Sequence, residues 1–187
     1  MKVGNYEVSL FEIANPDEAE PSIDCYVDFS KDDYDSSLLL EIGNDLTTRK
    51  VCFRVSCYAP REQIALPIGD ERLLLMLDTT LCVFNLDTAI VEKTKDIDSM
   101  GSMIAAYPYM DGFILHGEMT IYRVDSDIDI QWEFSGRDVF VRRDSDIPAF
   151  QMQEDRICLY DFWDNYYEID YAGKLICDKQ REINSAK

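Results

Sequence analysis

The stretch "DGFILHGEMTIYRVDSDIDIQWEF", residues 111–134, decides how the fold is read. It runs as an apolar strand, a short polar turn, a second strand ending in a hydrophobe followed by Asp, another turn, and a third strand carrying Trp132. The same order recurs in "ERLLLMLDTTLCVFNLDTAIVEK", residues 71–93, and in "DRICLYDFWDNYYEIDYAGKLICDK", residues 155–179. Self-similarity at a near-constant spacing is the signature of a repeated supersecondary unit. The copies span about 71–96, 111–136 and 155–179. Their shared cores, "CVFNLD" at 82–87, "TIYRVD" at 120–125 and "NYYEID" at 165–170, make Phe84, Tyr122 and Tyr167 equivalent, each expected to be buried in its own hairpin.

Period-two alternation extends the strand pattern to the rest of the chain. In "IDCYVDF" the residues Ile23, Cys25, Val27 and Phe29 face one way and Asp24, Tyr26 and Asp28 the other, and "KVCFRVSCY" places Val51, Phe53, Val55 and Cys57 inward. Pro, Gly, Asn and Asp punctuate these runs where a chain must reverse. One segment, "TAIVEKTKDIDSMGSMIAAY" at 88–107, admits a short helix. The expectation is an all-β, antiparallel single domain covering 1–187, with no linker dividing it.

The three copies resemble the blade repeat of quinoprotein-like and WD-type β-propellers, whose units read as an apolar strand, an aromatic-x-hydrophobic-Asp strand, a Gly turn and a strand often ending in Trp. Trp132 supplies that Trp and Gly173 the turn Gly, while Ala89 and Ile128 stand near the corresponding places in the other copies. The resemblance implies antiparallel meanders arranged as a small propeller or an incomplete one. It says nothing of a quinone, and no cofactor is expected.

The chain has 187 residues, 18 Lys plus Arg against 37 Asp plus Glu, and a formal net charge of −19. A hydrophobic fraction of 47% with 12% aromatics leaves ample material for a core, so the acidity does not mean disorder. Nucleic acid and anionic membrane are poor partners for such a field, whereas a basic protein is drawn in. No apolar run suits a signal peptide or a membrane span. None of the six cysteines forms a C-x-x-C pair, which points to reduced thiols and a cytoplasmic protein.

Residues that could carry chemistry are few. His116 is the only histidine, so a His-based metal cluster is excluded, and as a hairpin-end residue it is expected to bond to backbone or water. "DSDID", Asp125 to Asp129, begins like a calcium loop, but its sixth position is Ile130 and its twelfth Gly136, where that loop needs Gly and Glu. Arg137, Arg142 and Arg143 are expected to pair locally with Asp138 and Asp144. The acidic aromatic hairpin 155–176 supplies the candidate partner-binding residues Trp163, Asp161, Asp164 and Tyr166, joined by Asp32, Asp33 and Asp35 of an acidic loop. The leading expectation is a non-enzymatic acidic interaction protein, of the kind that serves as an immunity-type inhibitor of a basic, nuclease-like toxin. The alternatives are a hydrolase of carbohydrate using Asp161, Asp164 and Glu168, or a scaffold without a charge-dependent partner.

Overall fold

The computed structural model describes residues 1–13, 23–29, 36–55, 64–77, 79–97, 102–142 and 146–181. These residues form strands and turns, without a helix. The first sheet holds β1 (Lys2–Val3), β2 (Tyr6–Ile13), β3 (Cys25–Phe29), β4 (Ser36–Gly43) and β5 (Thr48–Val55), in the order β1-β2-β4-β5-β3. Its β3–β5 pairing is parallel, an exception to the antiparallel expectation that arises because β3 crosses to the far edge before β4 returns beside β2.

Three regular meanders follow. The second sheet is β6 (Ala65–Ile68), β7 (Arg72–Leu77), β8 (Thr80–Asn85) and β9 (Ile90–Asp96). The third is β10 (Met103–Tyr109), β11 (Gly112–Gly117), β12 (Thr120–Asp125) and β13 (Ile130–Ser135). The fourth is β14 (Phe150–Met152), β15 (Ile157–Tyr160), β16 (Tyr166–Ile169) and β17 (Leu175–Lys179). The repeat read from sequence is therefore the last three strands of each sheet, and a fourth strand precedes each copy. The stretch expected to admit a helix is β9 and β10: Val91, Thr94 and their neighbours pair with β8, and tertiary pairing overrides any local helical preference.

The sheets stack face to face, with an apolar cluster at each interface. Leu73, Leu75 and Leu77 join Leu40, Val51 and Phe53 of the first sheet, while Leu74 and Met76 turn the other way toward Leu115 and Tyr122 of the third. That is why "RLLLML" is apolar without alternation: both faces of its sheet are covered. Ile114 and Ile121 then meet Ile157, Leu159, Tyr167 and Ile169 of the fourth sheet. Each fully buried Leu or Ile contributes roughly 1.5–3 kcal/mol. The outermost strands β9, β13 and β17 stay wet.

The copies superpose by a shared irregularity. A bulge falls at Val83/Phe84, at Arg123/Val124 and at Glu168/Ile169, just before the turn into the fourth strand. Asn85 and Asp125 end the third strands and Asp170 directly follows its own, and each side-chain oxygen accepts backbone N–H groups of the turn: Thr88 at 2.9 Å, Asp127 and Asp129 at 3.0 and 2.9 Å, Ala172 and Lys174 at 3.0 and 2.8 Å. Near the end of each turn one residue has positive φ: Ala89 (56°), directly before β9, and Ile128 (57°) and Gly173 (80°), each two residues before its strand. This corrects the sequence alignment of the first copy by two residues. Tyr122 and Tyr167 are equivalent, but their counterpart is Cys82, and Phe84 matches Val124 and Ile169. All three aromatic residues are buried. Leu86 and Asp87, aligned as strand, belong to a turn one residue longer than the others, and Leu86 tucks into the first apolar cluster.

Because hairpins alternate ends, one edge of the stack gathers the β6–β7, β8–β9, β10–β11, β12–β13, β14–β15 and β16–β17 turns. Contacts between sheets tie this edge together. Arg72 reaches Asp127 at 3.3 Å, Tyr6 donates to Asp87 at 3.0 Å, and Trp132 Nε1 donates to the Tyr171 carbonyl at 2.9 Å.

Candidate functional site

The hairpin turn between β15 and β16 is organised by Asp161. Its Oδ1 accepts from Trp163 N (3.0 Å) and Asn165 N (2.9 Å), and its Oδ2 from Asn165 Nδ2 and the Tyr167 hydroxyl (both 2.8 Å). Four donors satisfy the carboxylate, which is how a fully buried Asp is tolerated. As a partner-facing residue Asp161 is corrected: it is the frame of the turn, in the same role as Asp125 and Asp170. Asp164 takes positive φ (62°) and sits between Arg142, whose Nη2 is 2.8 Å away, and Arg181 at 3.0 Å. Trp163 stands 61% exposed on this rigid turn, edge-on to Phe162 at 5.3 Å.

Tyr166 lies on the outer face of the fourth sheet. Its hydroxyl donates to Glu168 Oε1 at 2.7 Å and lies 3.3 Å from Cys158 Sγ. Burial, then Cys158 and Glu168, raise its pKa, so the phenol stays protonated. Glu168 is held below the usual carboxylate range by that hydrogen bond and by Arg156, whose Nη1 is 2.8 Å away. A general acid needs the opposite shift. The three carboxylates of the hydrolase reading are thus each engaged, Asp161 in its turn and Asp164 and Glu168 with arginines. Asp32, Asp33 and Asp35 lie outside the described residues.

His116 is buried in β11, its Nε2 3.0 Å from the Phe140 carbonyl and its ring stacked 4.9 Å from Phe150. Burial lowers its pKa to about 4, so it is neutral and donates to that carbonyl. The Asp125–Asp129 segment is a hairpin turn, with Asp129 paired to Lys93 at 3.0 Å and Lys95 at 3.5 Å. Among the described residues no group of three or more His, Cys, Asp or Glu is placed to hold a metal. Arg137 pairs with Asp178 of β17 at 2.5 Å and Arg142 with Asp164, so neither uses the neighbouring Asp138 expected from sequence; Arg143 and Asp144 lie outside the described residues. Of the five described cysteines, Cys52, Cys82 and Cys158 are buried, whereas Cys25, expected inward, is exposed on the edge strand β3. Cys57 lies outside the described residues. No described helix is long and apolar enough to cross a membrane.

Sequence reasoning missed two features. Arg123 is buried, reaches the Phe113 and Val124 carbonyls, and pairs through Nη2 with Asp111 Oδ1 at 2.6 Å. Beside it, between the second and third sheets, is a cleft of about 230 Å³ that Pro67, Ile68, Pro108, Met110 and Phe113 help to line. The legible signal was Pro67 and Pro108, each next to last in the first strand of its sheet. An edge strand tolerates Pro because one side of it has no ladder to supply.

The geometry defines an all-β, propeller-like stack of four sheets with one turn-lined acidic edge. Two solved structures are similar in fold: BamB from Moraxella catarrhalis, at 11% identity and a TM-score of 0.42 over 59% of this chain and 34% of that one, and the AfRom2 CNH domain, at 11% identity and a TM-score of 0.44 over 79% of this chain and 48% of that one. The chain thus spans about a third and about half of their lengths. No family model and no curated protein matches it.

Proposed function

We propose that this chain is a non-enzymatic binding protein that recognises a basic protein through its turn-lined edge, as an immunity-type inhibitor does when it imitates the anionic substrate of a nuclease-like toxin. One observation carries the reading. The alternate hairpin turns place Asp70, Glu71, Asp87, Asp111, Asp127, Glu154 and Asp155 at one edge, so acids scattered through the sequence act as one surface. Such a field speeds encounter with a cationic partner. At the opposite end the arginines Arg142 and Arg181 flank Trp163 through Asp164, so Trp163 is an apolar anchor set apart from the acidic edge. The reading also takes the protein to act in the cytoplasm.

The test is capture from the native host at low salt, followed by association kinetics with the isolated partner. The on-rate is expected to fall steeply between about 50 and 200 mM salt, because screening shortens the field to roughly a nanometre or less. Reversing Asp70 and Asp127 to Lys should slow association further. An acidic partner, or an on-rate indifferent to salt, refutes the proposal.

A further inference from the structure

The cleft between the second and third sheets has a composition that the fold alone does not require. Its walls are Pro67, Pro108 and Phe113, and no side chain projects from Gly112, where a Cβ would collide with the Val124 carbonyl and the Arg123 guanidinium. At the rim stands Met110, 84% exposed and at φ 51°. A two-residue hairpin turn with positive φ at its first position is the place for Gly. This chain instead holds a flexible, polarizable apolar side chain in water beside an apolar slot, the kind of group found at adaptable binding surfaces.

The next residue, Asp111, supplies the charge. Its side chain is 81% exposed, while Arg123 beneath it is buried and fixes Oδ1. Arg123 is thereby compensated, and the largely exposed Asp111 carboxylate is accessible to a further donor. Arg72, the other cation nearby, is paired with Asp127 at 3.3 Å and lies 3.8 Å from Glu92. An acidic occupant would meet the edge's negative field, and a wholly apolar one would strip water from Asp111 without replacing it. A long side chain with an aliphatic stem and a cationic head satisfies both walls and rim.

We infer that this cleft receives a lysine or arginine side chain of the protein partner, its stem against Pro67, Pro108, Phe113 and Met110 and its head at Asp111. The inference rests on the basic-partner reading and gives it a point of attachment. Methyl and aromatic NMR of the full chain, titrated with Nα-acetyl-lysine N-methylamide and with the uncharged Nα-acetyl-norleucine N-methylamide, tests it directly. The lysine compound should shift Ile68, Met110 and Phe113 saturably, and the norleucine compound should bind at least about fivefold more weakly, the loss of roughly 1 kcal/mol expected for one exposed charge contact. Met110→Gly should cost the lysine compound a similar factor while raising the melting temperature, because the left-handed backbone suits Gly. A gain in stability with a loss of binding separates recognition from folding.

Equal affinity for the two compounds, or Met110→Gly binding unchanged, overturns the assignment. So do diffuse, unsaturable shifts along the acidic edge, and that result leaves salt-dependent attraction of basic proteins standing. If the cleft binds the lysine compound but the captured partner is acidic, the partner reading fails and the cleft assignment survives as a property of the chain.

Discussion

Asp161→Ala is expected to be among the most damaging single changes at any acidic residue of this chain. The Tyr167 hydroxyl is buried and already accepts from Arg137 N at 3.1 Å, so its proton has Asp161 as its acceptor. An orphaned buried donor costs about 1–3 kcal/mol, and the two backbone N–H bonds of the turn add about 0.5–1.5 kcal/mol each. The sum is about 2–6 kcal/mol, a large share of the 5–15 kcal/mol typical of a domain. Urea unfolding should show the midpoint moving down with the slope unchanged. A cycle with Tyr167→Phe isolates the hydroxyl: the double variant should recover about 1 kcal/mol or more of the loss expected from adding the two single changes. If Asp161→Ala costs less than about 1 kcal/mol, or the two changes add simply, the carboxylate does not frame the turn as described.

Three other outcomes are expected. Burial lowers the His116 pKa from 6.5 to about 4, so the unfolded chain takes up the proton first as pH falls; stability held above pH 6.5 is lost between 6.5 and about 4, by about 3 kcal/mol, and His116→Gln should flatten that part of the curve in pH-dependent denaturation. In the native protein Cys25 should react quickly with a maleimide and Cys82, whose thiol burial pushes up to about 12, should stay unlabelled until denaturant is added. Ala89→Gly should raise stability by about 0.5–1 kcal/mol in thermal melts by relieving a left-handed Ala, whereas the same change at Ile128 should lower it, because Ile128 is fully buried in the second apolar cluster.

The strands were legible wherever one physical constraint dominated. Three meanders followed from apolar runs with turn residues between them, and the positive φ at Ala89 and Ile128 sits where the resemblance placed the turn Gly. The two-residue error in the first copy arose because Leu86-Asp87 imitates the hydrophobe-Asp ending of a strand, and only the bulge and the hydrogen bonds of Asn85 locate the true end. The first strands of the second and third sheets escaped notice because Pro67 sat in a stretch read as a turn and Pro108 closed a stretch read as helix-tolerant. Site residues were less legible. Trp163 was singled out as a candidate contact residue because a turn does not need a large aromatic, but whether Asp161 faces solvent or its own backbone depends on a φ/ψ pattern that composition does not reveal. Arg123 and Asp111 lie twelve residues apart, and only the pairing of β11 with β12 makes them neighbours.

Among the described residues three separate apolar clusters, each shared by two adjacent sheets, make the stack thermodynamically one-dimensional. Among the described residues each cluster joins only neighbouring sheets, so cohesion there is a sum of interface terms rather than the property of one centre. The fourth sheet is joined through a single cluster, the second and third through two each. Opening therefore proceeds from the ends inward, and amide exchange should be slowest in β7, β8, β11 and β12 and progressively faster toward β14–β17. A defect in one interface loosens that joint while the others keep their register, so the molecule yields by segments before it unfolds as a whole.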